Sequence, residues 1–220
     1  MLNDNILKNM IKNARDGFKK RNFTQSAELS LILKDIDVKK GFSINEVVSL
    51  PSKSTKSSSI CVFASGDMGV RAKKAEVDRV IDPDELDRLA TNKKDARKVV
   101  KAYDFFLADT SLMSSVGRSL GQFMGPKGKM PSPIAYGAPI ENIAERFRGS
   151  VRARTKNQLS ISAKIGDEKM QDEYLVKNAL AIIAAVEKKL PQGDKNIRDI
   201  SIKFTMSNPS RASTVGDKQK

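Results

Sequence analysis

The chain contains no histidine and a single cysteine, Cys61. That removes the commonest general base, the histidine-dependent nucleophilic triads and most zinc sites together. One thiol forms neither an internal disulfide nor a cysteine cage for a metal, so no cofactor is expected, and a reducing cytoplasm suits it. Carboxylates could carry acid–base chemistry instead, and pairs occur at Asp82 with Asp84 and at Asp172 with Glu173. Both pairs fall where a helix should begin, and a negative side chain there offsets the positive end of the helix dipole.

Positive charge is what the chain has in excess. Lys and Arg number 40 against 26 Asp and Glu, a net charge of +14, which draws a polyanion and makes association weaken as salt rises. Nucleic acid is the first candidate. A membrane surface is the rival, but the chain has no apolar run of roughly 18 residues and no lipid-attachment motif. The opening residues, MLNDNILKNM, lack the basic stretch and apolar block of a signal peptide, so the protein is expected to stay where it is made.

Three stretches have a functional reading beside a bland one, two of them as places to hold an anion. In GPKGKMPSP, Gly125 to Pro133, the lysines Lys127 and Lys129 sit on a backbone held by Gly and Pro, which suits phosphate contact or, equally, a rigid connector with solvated lysines. Phe23 follows Lys19, Lys20, Arg21 and Asn22, so it could stack on a base among donors or simply join the core. Thr205, Met206, Ser207, Asn208 and Pro209 close a strand with small polar groups, and by themselves read as an ordinary strand end. Two nucleotide motifs fail. The phosphate loop needs Gly where Phe123 stands and a hydroxyl where Met130 stands, and the dinucleotide fingerprint stops at Gly66 and Gly69.

The elements that would position these residues follow from periodicity. Leu7, Met10, Ile11, Ala14 and Phe18 form one stripe of a helix over residues 4–18, with Asn3 or Asp4 to cap it. Ser26 to Lys34 alternates as a half-buried strand, and Ile44 to Leu50 is extended up to Pro51. PSKSTKSSS then looks too polar to pack and marks a domain crossing. Ile60 to Ala64 is apolar throughout, as a strand of a parallel sheet should be. A helix over 68–76, a strand Arg79 to Ile81, and a helix started by Asp82, Pro83 and Glu85 and running to Ala102 come next. Phe105 to Ala108 is a buried strand, and Asp109 or Thr110 caps a helix to Met124. Helix 139–148, extended stretches 151–155 and 159–165, helix 172–189 and a final strand through Ile200, Ile202 and Phe204 complete the chain, which frays from Arg211.

These alternations predict an α/β protein of two domains. An outer α+β sandwich takes residues 1–51 and 155–220, and a Rossmann-like α/β domain, residues 52–154, is inserted into it with the two crossings as a hinge. Cut there, the charge does not choose between them: 19 basic and 12 acidic residues lie in 52–154, and 21 and 14 in the remainder.

Several strings resemble a known family, the large-subunit ribosomal protein of the mobile stalk in its archaeal form. They are NFTQSAEL (22–29), LKDIDVKK (33–40), VSLP (48–51), ASGDMGVRAKKA (64–75), MGPKGKMPSP (124–133) and FTM (204–206). The resemblance implies the same discontinuous two-domain architecture, an outer domain that clamps large-subunit rRNA, and a cytoplasmic, ribosomal location. It implies RNA contacts at Phe23, Ser26, Glu28, Thr205, Met206 and Ser207, with Lys127 and Lys129 as a secondary contact. Ser26 and Thr205 would bond ribose hydroxyls and phosphates, Phe23 and Met206 would pack on sugars or a base, and Glu28 would accept from a ribose hydroxyl. It further implies repression of the protein's own mRNA, a role in releasing exit-site tRNA, and a monomer off the ribosome. One position departs: the family usually has glycine where this chain has Ser207, so a side chain there is expected to hinder close RNA approach or to force a different backbone angle, with lower affinity than is typical. An enzyme holding a nucleotide or sugar phosphate on the Rossmann-like domain is the alternative, and a basic DNA-packaging protein is a third reading.

Overall fold

Strands from the two ends of the chain pair with one another, and this divides the molecule. In the computed structural model, which describes residues 4–17, 19, 21–36, 42–155 and 158–213, the chain forms two units: Met1–Lys56 with Gly149–Lys220, and Ser57–Arg148. Asn3, Phe18 and residues 37–40 of the sequence reading lie outside the described residues.

The first unit is built on an antiparallel sheet of order β10-β9-β1-β8, from β10 (Ser210–Ser213), β9 (Ile197–Phe204), β1 (Ser26–Leu33) and β8 (Ser160–Asp167). Alternation decides its faces. Ala27, Leu29, Leu31 and Leu33 of β1, with Ile200, Ile202 and Phe204 of β9, point into a core shared with α1 (Asp4–Asp16) and α7 (Asp172–Glu187). α1 contributes Leu7, Met10, Ile11 and Ala14, the stripe its spacing predicts. Residues expected to fray begin with Arg211, yet Arg211 to Ser213 pair with β9, whose edge would otherwise stay open.

A second ladder in this unit joins β2 (Asn45–Ser49) to β7 (Ser150–Arg154), antiparallel from Asn45↔Arg154 to Ser49↔Ser150. Pairing with β2 places β7 in the first unit, and the two units divide at 56/57 and 148/149 where the sequence pattern suggests 51/52 and 154/155. The serine-rich segment after Pro51, expected to be too polar to pack, is held by buried polar side chains. Asn178 accepts from the Ser52 amide at 3.0 Å and donates to the carbonyls of Ser52 at 2.9 Å and Ile165 at 2.7 Å. Asp167 accepts from the Ser54 hydroxyl at 3.0 Å and the Thr55 amide at 2.9 Å.

The second unit is a parallel sheet of order β4-β3-β5-β6, from β4 (Arg79–Ile81), β3 (Ile60–Phe63), β5 (Phe105–Asp109) and β6 (Ser132–Ile134). Helices cover both faces, which is why β3 and β5 are buried at every residue. Phe63 stacks on Phe106 at 6.0 Å beneath α3 (Pro83–Thr91), α4 (Lys93–Ala102) and α5 (Met113–Met124). Phe105 meets Phe147 of α6 (Ile140–Arg148) edge-on at 5.4 Å on the other face, which α2 (Gly66–Lys74) shares.

Three local expectations change here. Asp82 occupies the N-cap of α3 without a side-chain cap bond, and Glu85 pairs with Arg79 instead of reaching back. The helix expected to run to Ala102 breaks at Asn92, whose side chain accepts from the Lys94 and Asp95 amides and so starts α4. The end of the Gly125–Pro133 loop becomes β6, where Pro133 is tolerated because an edge strand can spare its N–H.

Two outcomes follow. Asn178→Ala should lower the unfolding free energy in urea by about 2 to 3 kcal/mol, because the Ser52 and Ile165 groups lose a buried partner. Burial raises the Asp167 carboxyl, but hydrogen bonds from Thr55, Ser54 and Lys169 outweigh it and hold the group below its ordinary 3.8. A carboxyl lowered by folding stabilises above its unfolded value and stops doing so as pH falls through the folded one. The stability difference between the wild type and Asp167→Asn should therefore shrink below pH 3.8, read from urea titrations across pH.

Candidate nucleic-acid interface

The start of β1 and the end of β9 lie side by side, paired at Ala27↔Phe204. Beyond that pair the Thr205 amide donates to the Ser26 carbonyl at 3.1 Å, and the Ser26 amide donates to the Thr205 hydroxyl at 3.1 Å. The same hydroxyl donates to the Ser26 carbonyl at 3.3 Å. Thr205, expected to spend its hydroxyl on RNA, spends its proton on Ser26 and keeps one lone pair.

Gln25, which the sequence reading passed over, completes the junction. Its side chain is fully buried, accepts from the Met206 amide at 3.0 Å and donates to the Lys19 carbonyl at 3.1 Å. Its own carbonyl accepts from the Glu168 amide at 3.0 Å, so three chain segments meet at one glutamine. A polar residue before an alternating strand is the only sign of it in the sequence.

Large apolar side chains flank this junction in water. Phe23 is 50% exposed and Met206 is 57% exposed, so the reading of Phe23 as core is set aside. Ser207 turns its hydroxyl inward, accepting from the Phe204 amide at 2.9 Å. Ser207 is not among the described residues with positive φ, so its backbone does not demand glycine.

Glu28 lies on the face of the sheet away from the helices, opposite Lys164 on β8 and Lys203 on β9. The next outward row holds Ser162, Ser30, Ser201 and Arg211 in register across all four strands, with the Ser30 and Ser162 hydroxyls 2.9 Å apart. The result is a surface of small hydroxyls with cations beside them. The alternation that identified the core residues also places these on one face.

Charge follows the true boundary. Lys53, Lys56, Arg152 and Arg154 belong to the first unit, which then carries 25 basic and 14 acidic residues, while the second carries 15 and 12. The surplus is therefore +11 on the unit with the exposed sheet face and +3 on the other.

In the second unit the two predicted lysines part company. Lys127 is exposed, but the Lys129 ammonium donates to the Val100 carbonyl at 3.2 Å and to the Tyr103 carbonyl, closing the end of α4. Lys129 thus fastens the loop to the end of α4. Cys61 lies in the core, where burial pushes its thiol up to about 12, so it is no nucleophile at neutral pH. Among the described residues no group of His, Cys, Asp or Glu is placed to hold a metal. No helix in them is long and apolar enough to cross a membrane.

Residues 11–208 match the ribosomal protein L1p/L10e family. Relatives named large ribosomal subunit protein uL1 include one from Cenarchaeum symbiosum, 57% identical over 94% of this chain and 95% of the relative. One from Thermofilum pendens is 46% identical over 89% and 87%, and one from Methanospirillum hungatei 37% identical over 94% and 96%.

If Gln25 holds the junction, Gln25→Ala should speed hydrogen exchange at the Met206 amide by about tenfold or more, the equivalent of about 1.4 kcal/mol of lost protection. Amides in the middle of β9 should keep their rates.

Proposed function

The chain belongs to the ribosomal protein L1p/L10e family, and we propose on that footing that it is a structural, non-catalytic component of the large ribosomal subunit. Its partner is rRNA of the mobile stalk, gripped by the junction of β1 and β9 and the sheet face beside it. The observation that carries this reading is the junction itself: Gln25 and the Ser26–Thr205 pair hold two exposed apolar side chains at the edge of a hydroxyl-lined, cationic surface.

The chemistry suits RNA read by shape. An A-form helix offers ribose hydroxyls and phosphates across a wide minor groove, and single-stranded ends offer bases to stack. Phe23 and Met206 pack on sugars or an exposed base, Thr205 accepts from a ribose hydroxyl with its remaining lone pair, and Glu28 accepts another. Ser26 and Ser207 bring backbone groups close to the RNA. Lys164, Lys203 and Arg211 neutralise phosphates, and Lys127 adds a secondary contact from the other unit.

Release of deacylated tRNA from the exit site and repression of the protein's own mRNA extend the same reading. An mRNA segment folded like the stalk rRNA would present the same riboses and compete for the same surface. Off the ribosome the chain acts as a monomer, and its place is the cytoplasmic ribosome.

Filter binding to a stalk rRNA fragment checks the assignment. Thr205→Val and Met206→Ala should each weaken binding by more than about tenfold, since a buried hydrogen bond or a packing anchor is worth about 1 to 3 kcal/mol. Unaltered affinity in both would remove the junction from the interface. Ser207→Gly should cost about 1 kcal/mol of stability through the lost Phe204 bond and shift RNA affinity by less than about threefold.

A further inference from the structure

One helix of the second unit carries charge almost entirely of one sign. Of the ten residues of α4, Lys93, Lys94, Arg97, Lys98 and Lys101 are basic and all are exposed, while Ala96, Val99 and Val100 are buried. Residues four apart on a helix are neighbours, so Lys93 with Arg97, Lys94 with Lys98, and Arg97 with Lys101 set like charges together, each weakening the helix. Lys93 and Lys94 also sit in the first turn, where the helix dipole disfavours cations. The one acid, Asp95, is shared between Lys98 at 3.3 Å and the Asn92 amide group at 2.7 Å. Folding alone would favour alternating signs here, and a local rule broken without structural gain marks a functional constraint.

The loop after α5 is fastened to this helix. Lys129 closes the carbonyls of Val100 and Tyr103, and the Arg97 guanidinium lies 5.6 Å over the Phe123 ring. Lys127, exposed and two positions before the fastening, adds a further cation on the loop that is tied to this helix.

We propose that the outward stripe of α4 with Lys127 is a second RNA contact, one that takes the phosphate backbone of a duplex without reading sequence. This deepens the rRNA reading above and rests on it for the choice of RNA. The stripe is lysine-rich and holds no exposed aromatic residue, so it offers point charges for phosphates and nothing to stack on bases or anchor a protein partner.

The test uses the full chain, a mixed-sequence RNA duplex of two helical turns, the stalk rRNA fragment and poly-glutamate. The quadruple variant Lys93→Gln, Lys94→Gln, Lys98→Gln, Lys101→Gln should bind the duplex more than about tenfold more weakly, with a salt slope lower by about 2 to 4. Replacing the same four lysines by arginine should leave duplex binding and slope as in the wild type. The glutamine variant should melt no earlier than the wild type, because it removes repulsion. The pair Thr205→Val, Met206→Ala should weaken binding of the stalk fragment by more than about tenfold and leave the duplex salt slope as in the wild type, whereas the glutamine variant lowers that slope, so that failure of the junction and failure of the stripe are read separately. Wild-type duplex affinity and slope in the glutamine variant would overturn the proposal. So would loss of poly-glutamate binding with duplex binding intact, which would assign the stripe to an acidic protein.

Discussion

Ser26 and Thr205 stand 179 positions apart and are joined through the amide and hydroxyl of one and the backbone of the other. On this closure the first unit depends. Once β1 and β9 are paired from Ala27↔Phe204 to Leu33↔Ile197, their alternate residues supply the floor on which α1 and α7 pack. A slip of one residue would turn Leu29, Leu31 and Ile202 to water and bury Glu28 and Lys203, so the apolar pattern pins the register. The entropy of closing so long a loop grows only with the logarithm of its length, and a buried strand pair offsets it.

Polar groups do much of the fastening around this closure. Arg15 of α1 donates to Asp172 at 2.6 Å and to the carbonyls of Glu168 and Met170, and its guanidinium lies 5.3 Å over the Phe204 ring. One side chain thus ties the turn between β8 and α7 to the residue just before Thr205. Gln25 reaches the same turn through Glu168, while Asn178 and Asp167 secure the chain as it leaves β2. Each is a hydrogen-bonded group in a place where an unpaired one would be costly, so the geometry at the interface is held on several sides. An end held this way is preorganised, so the RNA contact proposed for it would need little rearrangement, which favours affinity.

The same closure sorts the charge. β7 belongs with β2, and the four cations that this pairing brings into the first unit leave it with a surplus of +11 against +3 in the second. The larger surplus lies on the unit for which the principal rRNA contact is proposed, where it would favour encounter with a polyanion.

Periodicity determined a great deal by itself. The stripe Leu7, Met10, Ile11 and Ala14, the alternation of β1, the apolar runs of β3 and β5 and the bounds of β4 all follow from side-chain spacing, because burial of one face is decided within a few residues. The motifs at 22–29 and 204–206 marked the site's two halves for the same reason: they are local strings. Tertiary structure alone decided what depends on who lies opposite. It drew β7 into the first unit by pairing it with β2, made Gln25 a bridge, and brought Ser30, Ser162 and Ser201 into one row. It also tied Lys129 to the end of α4. Hydrogen-bond partners separated by more than a hundred positions leave no periodic trace, since their choice rests on the register and packing of strands that the local pattern does not encode.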